Sequence, residues 1–324
     1  MPRQRKLLGC SFPVFIIVIL VVVALFVVGL LAGPLGKGMF PGVHESLPSF
    51  LKVEQPKVEL PAETVFHLFG FPITNSVIGA WLTILVLGLL VVLVTRRTRL
   101  VPKRWQMLLE FGLGALLGFC QSVAGEKNGR RFFPVVATIF LFVFANAWLS
   151  LLPFFNSLPV IVGDSERHVV HLFRGANTDL NTPLAIALVS FVAVAFFGLR
   201  TLRFRWLSNY LNFGRFFRGL GQLFRGNIKG AFGGIFIGII DIFIGLVELL
   251  SMFIRIVSFT FRLFGNMTAG EILLLMASFL VPFLFALPFY GLELLVGIIQ
   301  ALIFSGLTLV FMTLAVATHG AEHH

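Results

Sequence analysis

Residues 241–285 read "DIFIGLVELLSMFIRIVSFTFRLFGNMTAGEILLLMASFLVPFLF". The stretch is apolar with few interruptions, yet Arg262 stands in its middle. An arginine keeps its charge in any protein environment. At the centre of a bilayer it costs about 2.5–3.5 kcal/mol on insertion scales, so a function must offset that cost. The apolar run extends over 234–283. As one helix it is about 75 Å long, against a hydrocarbon core of about 30 Å. Such a helix must tilt steeply, bend or break. Residues 289–318 make a second helix of about 45 Å, which must tilt as well. Pro282, Pro288 and Gly291 mark the turn between the two.

Asp241, Glu248, Arg255 and Arg262 are seven residues apart. Seven residues fall about 20° short of two helical turns, so the four share one face. Ser251, Ser258 and Asn266 fall close to that stripe, and Glu271 lies on roughly the opposite face. On the next helix Glu293 and Gln300 share a face. A hairpin folded near Pro282 brings Glu271 level with Glu293, and Arg262 nearly level with Gln300. Two neighbouring carboxylates in low dielectric do not both ionise readily, which suits a proton relay. The plainer alternatives are an internal ion-pair ladder along Asp241–Arg262 and separately hydrogen-bonded, neutral carboxylates.

Composition agrees with lipid as the solvent. Of 324 residues, 58% are hydrophobic and only 12% charged, about half the charge of a soluble domain. Long apolar runs point to an all-α integral membrane protein rather than a barrel. The net charge of +11 sits mainly in short segments flanking apolar runs. These are Arg3, Arg5 and Lys6; Arg96, Arg97, Arg99, Lys103 and Arg104; Lys127, Arg130 and Arg131; and Arg200 to Lys229. The positive-inside rule assigns such segments to the cytoplasm, and nucleic-acid binding is not expected.

About six crossings follow, with both termini cytoplasmic. Residues 1–33 hold a basic start and an apolar run at 12–33, read as a retained, signal-anchor-like helix rather than a cleaved signal peptide. Residues 34–70, with five prolines and four glutamates, form an external linker of little regular structure. The membrane domain is 71–324, with spans at 72–94, 132–152 and 182–199 ahead of the long pair. Residues 104–121, "RWQMLLEFGLGALLGFCQ", have cationic flanks on both sides. They fit an amphipathic or re-entrant helix on the cytoplasmic side rather than a crossing. Segment 153–181 is external. Gly112, Gly114 and Gly118 follow no strand and make no nucleotide loop. Cys10 and Cys120 show no pairing or metal spacing. "LLGC" at 7–10 precedes its apolar run and so is no lipoprotein site. The C-terminal His319, His323 and His324 are not expected to bind metal. No cofactor is expected.

"RLFGNMTAGE" at 262–271, Glu248 upstream and "QALIF" at 300–304 closely resemble subunit a of bacterial-type rotary F-type ATP synthases. "NTDLNTPLAIAL" at 177–188 resembles the same family. The likeness covers roughly 64–318. It implies a multi-pass subunit of the bacterial inner (plasma) membrane, non-catalytic and lying beside a rotating ring of c subunits that each carry a buried carboxylate. Peripheral-stalk b subunits and the remaining F1Fo subunits are the other implied partners. Two offset half-channels reach the ring. The resemblance places Arg262 between them, favouring the ionised ring carboxylate and blocking a direct leak. It assigns Glu271, Glu293, Asn266 and Gln300 to the external half-channel, with Asp179 at its mouth. Glu248, with Ser251 and Ser258, serves the cytoplasmic side, and Arg255 is a helper charge near the exit. Some family members have histidine where this chain has one of its two outer carboxylates, and the helix at 12–33 is an addition to the shortest family pattern. Two rival readings are a stand-alone proton or ion transporter or channel and a membrane scaffold.

Overall fold

A computed structural model describes residues 6–7, 10–46, 48, 56, 61–96, 104–152, 155, 158–162, 168–203 and 228–317. The basic residues Arg97, Arg99 and Lys103, most of the basic loop at 200–230, Asp164, Glu166 and the C-terminal histidines lie outside them.

The described elements are helices with three short antiparallel hairpins. The strands are β1 (Lys6–Leu7) with β2 (Cys10–Ser11), β3 (Thr64–Leu68) with β4 (Phe71–Thr74), and β5 (Pro159–Val162) with β6 (His168–His171). The helices are α1 (Phe12–Ala32), α2 (Pro34–Met39), α3 (Pro41–Ser46), α4 (Asn75–Thr95), α5 (Arg104–Ser150), α6 (Asn181–Leu202), α7 (Ile228–Leu280) and α8 (Leu287–Ala317). Six of these are long and apolar enough to cross a membrane: α1, α4, α5, α6, α7 and α8. An all-α integral membrane protein is therefore correct, with the hairpins as minor additions. The 34–70 segment is more regular than expected, because α2, α3 and β3 lie within it. Prolines open both short helices at the first position, where the missing N–H costs no bond.

The β3–β4 hairpin closes on a two-residue turn, Phe69 and Gly70, both at positive φ (51° and 84°). That is the primed turn whose twist suits paired strands, and it delivers the chain directly into α4. Helix α5 is two helices in one. Gly125 has φ 78° and ψ 164°, outside the helical region. The arms fold back so closely that a Cβ on Gly129 would come within 2.7 Å of Gln121 Cα. Two helical arms thus separate where the reading divided 104–121 from 132–152. The first arm exposes Met107, Leu108 and Phe111.

The chain divides into two compact units. One comprises Met1–Ala62 with Asn266–Gly297, the other Glu63–Gly265 with Ile298–His324. In the second, Leu116, Cys120 and Ala124 from one arm of α5 and Phe132, Val136 and Ala137 from the other pack with Val194 and Phe197 of α6 and with Leu309 and Met312 of α8. Phe132 meets Phe197 edge-on at 4.9 Å. A Cβ on Gly306 would sit 3.4 Å from Phe119, so the small residue lets α8 lie against α5.

Helices α7 and α8 span 53 and 31 residues, or about 80 Å and 46 Å of helix. Both exceed the hydrocarbon thickness. Pro282 lacks an N–H, and the last bond of α7's ladder is Val281 N to Ala277 O, at 3.2 Å. Pro288 falls in the first turn of α8, where proline is tolerated.

Candidate functional site

The hairpin register is set by contacts within each unit. In the second unit Phe259 of α7 packs on Phe304 of α8 with ring centroids 4.8 Å apart. In the first unit Gly270 of α7 meets Glu293 of α8, and a Cβ at position 270 would overlap the Glu293 carboxylate. In both pairs the two residues stand almost equally far along the chain from Pro282. With that register, Arg262 and Gln300 come out nearly level.

Arg262 is exposed on α7 and leans on Phe259, its guanidinium carbon 5.9 Å from the ring. Phe259 itself is buried. Around the arginine the exposed face of α7 is apolar, with Phe243, Ile244, Val247, Leu250, Phe253, Ile254 and Phe261. Glu248, Ser251 and Ser258 are exposed with it. A permanent charge on an apolar outer face must meet a partner that compensates it. The Asp241–Arg262 stripe is not uniform: Glu248 and Arg262 are exposed, whereas Asp241 and Arg255 are half-buried. Arg255 is half-buried and sits 3.6 Å from the Phe311 ring of α8, a cation–π contact that fixes the side chain.

Glu293 is buried, at 6% exposure, and Gln300 is equally buried. The Gln300 Nε2 has no hydrogen-bond partner among the described residues. Glu271 follows Gly270, is half-buried and has an interaction of its own. Asn266 is half-buried, one turn past Arg262.

Asp179 lies in a polar cluster of the second unit that the sequence reading did not anticipate. Ser76 Oγ donates to Asp179 Oδ2 at 2.7 Å, and Asn181 donates to Oδ1 from its backbone and side-chain nitrogens at 3.2 Å. Ser76 also shares a 2.8 Å bond with Thr74. Asn75 Nδ2 donates to the His171 carbonyl at 3.3 Å. Deeper, Asn146 of α5 donates to Thr83 Oγ1 of α4 at 3.0 Å and accepts from the Asn177 backbone N–H at 3.3 Å. Gly79 lets the loop approach, since a Cβ there would overlap the Arg174 carbonyl. The side-chain amide of Asn177 is fully buried, and neither atom has a hydrogen-bond partner among the described residues. The sequence signal was present: an asparagine inside "FLFVFANAWLSLL" is an intramembrane polar group that needs a partner. Among the described residues no cluster of His, Cys, Asp and Glu could hold a metal ion.

The model of the family described as ATP synthase A chain matches residues 77–313. The chain is 31% identical over 254 residues to an ATP synthase subunit a from Gloeobacter violaceus, an overlap of 77% of this chain and 86% of that one. It is 28% identical over 255 residues to an ATP synthase subunit a from Moorella thermoacetica, covering 79% and 96% of the two chains. The match spans every element from α4 to α8 that carries the site, and the chain belongs to the ATP synthase A chain family.

Proposed function

We propose that this chain is the stationary, ion-conducting subunit of a rotary ATP synthase, and that Arg262 is the charge that couples ion movement to rotation. The observation that carries the reading is Arg262 itself, exposed among apolar residues on a membrane-length helix. Its partner is a carboxylate on each subunit of a c ring that passes the exposed face of α7. Two unit charges 4 Å apart attract by about 4 kcal/mol at an effective dielectric near 20. That holds a passing carboxylate ionised, and a proton can still displace the pair. Moving one charge through 100 mV supplies about 2.3 kcal/mol, so capture and release are both within reach of the membrane potential.

Glu271, Glu293, Asn266 and Gln300 serve the external half-channel, with Asp179 at its mouth. Glu248, Ser251 and Ser258 serve the cytoplasmic one, and Arg255 is a helper charge. The subunit has no catalytic chemistry of its own; it works with the c ring, the b subunits and the rest of the F1Fo complex. It resides in a bacterial plasma membrane as a multi-pass protein with both termini in the cytoplasm. A stand-alone transporter is not favoured, because the family membership ties α4 to α8 to a multi-subunit machine.

The test is Arg262→Ala in the assembled complex. ATP-driven proton pumping should be abolished while assembly continues. Coupled pumping retained above a few per cent would falsify the role of Arg262. Lysine is a poor replacement, since it loses its proton when buried and lacks the planar fork.

A further inference from the structure

Helix α1 precedes the residues matched by the family, 77–313. It is apolar throughout, and from Pro13 to Val28 its side chains are exposed apart from a half-buried Phe15. Its end is different. Gly29, Ala32 and, just past the helix, Gly33 are buried. The two glycines are four residues apart and joined by the Gly33 N–H donating to the Gly29 carbonyl at 3.1 Å. Each meets the backbone of the α7–α8 turn, in the same compact unit. A Cβ on Gly29 would overlap the Pro282 carbonyl oxygen, and one on Gly33 the Leu280 carbonyl oxygen.

These carbonyls stand at the end of α7 and two residues past it. The last carbonyls of a helix have no partner in their own ladder, and Pro282 contributes no N–H to the turn. Glycine Cα hydrogens can approach a carbonyl oxygen closely, a weak but recurrent contact where helices pack through small residues four apart. Next in the turn, Phe283 holds φ 76°, a conformation that non-glycine residues keep only when their surroundings enforce it. A Cβ on Gly29 would lie 3.5 Å from Cδ2 of that phenylalanine.

We propose that α1 is a positioning element, retained in the working subunit, that uses Gly29 and Gly33 to clamp the α7–α8 turn and so hold Gly270 against Glu293. The turn fixes how the two helices leave it, and the Gly270–Glu293 contact stands about three turns away on the same hairpin. Gly29 and Gly33 touch no transported ion; they act through the turn.

The experiment has two parts on the whole complex. First, Gly29→Leu and Gly33→Leu are compared with Val22→Leu, an exposed position on the same helix. Per assembled complex, the glycine variants should shift the outer-side proton concentration for half-maximal ATP synthesis by about tenfold, well within the hundredfold that a 1 Å misplacement can cost. Val22→Leu should not. A defect in assembly alone lowers the amount of complex and leaves that concentration in place. Secondly, a benzophenone side chain at Phe283 in the otherwise unchanged chain should capture the peptide containing Gly29. This part is informative even where a leucine variant fails to assemble.

Capture of other peptides only, an unshifted half-maximal concentration, or a mature subunit whose mass lacks residues 1–33 would overturn the proposal. The first part rests on the relay role of Glu293, and the capture does not. If Arg262→Ala still pumps while capture succeeds, the rotary reading fails and the clamp stands.

Discussion

A side chain at position 270 would occupy the space that the Glu293 carboxylate fills. Glycine at this point is thus a requirement of side-chain placement rather than of backbone conformation. The carboxylate is the free end of a flexible side chain and can yield, so Gly270→Ala should spare folding and disturb only where Glu293 points. Proton pumping should fall by about tenfold with normal assembly, because small misplacements of a reacting group are costly. Assembly loss with unaltered pumping per complex would show Gly270 to be a packing residue only. Glu293→Gln keeps the shape and removes the titration. Proton uptake from the outer side should slow and its pH profile should change, and an unchanged profile removes Glu293 from the relay. Arg262 needs a different argument, since its charge never titrates; what matters is its exposure on α7 beside the buried Phe259.

At the scale of elements, α4, α5 and the 175–179 loop are joined by polar side chains rather than by apolar packing alone. Asn146 stands at the centre, bonded to Thr83 and to the Asn177 backbone. Asn146→Ala would take from the buried Asn177 N–H its acceptor and from Thr83 the amide donor, leaving the Thr83 hydroxyl with its own bond to the Gly79 carbonyl, at about 1–3 kcal/mol for a group left unsatisfied. The detergent-solubilised complex should unfold at a lower temperature, whereas Asn181→Ala, at the exposed end of the Asp179 cluster, should have little effect. Equal melting temperatures for the two variants would show that the Asn146 bonds contribute nothing net. This cluster marks where the sequence ceased to be legible. The long helices were plain from their apolar runs and Pro282, and the α5 division from its charges. Asp179 was found through its motif. The bonds from Ser76, Thr83 and Asn146 were not, because serine, threonine and asparagine inside a span announce a need for a partner without naming it.

For the molecule as a whole, the question is which surface meets lipid and which meets protein, and composition cannot answer it, since both surfaces are apolar. The charges can. Helix α4 exposes Ile84, Leu85, Leu89 and Leu93 with no charge among them, as a lipid-facing helix should. Helix α7 exposes an equally apolar face but adds Glu248, Ser251, Ser258 and Arg262. Lipid gives such groups nothing in return at membrane depth, whereas the acid groups of the proposed rotor would. Single cysteines along α7, in a complex otherwise free of reactive thiols, turn that into a measurement. Cysteines at Ser251, Ile254 and Ser258 should crosslink to a cysteine placed beside the carboxylate of the c subunit. Cysteines at Gly245 and Phe259, which are buried, should not. The yield should rise and fall with the period of a helix, about 3.6 residues, and should disappear along α4. A flat pattern, or strong crosslinks from the buried positions, would mean that α7 turns another face to the ring and that Arg262 does not look at the rotor.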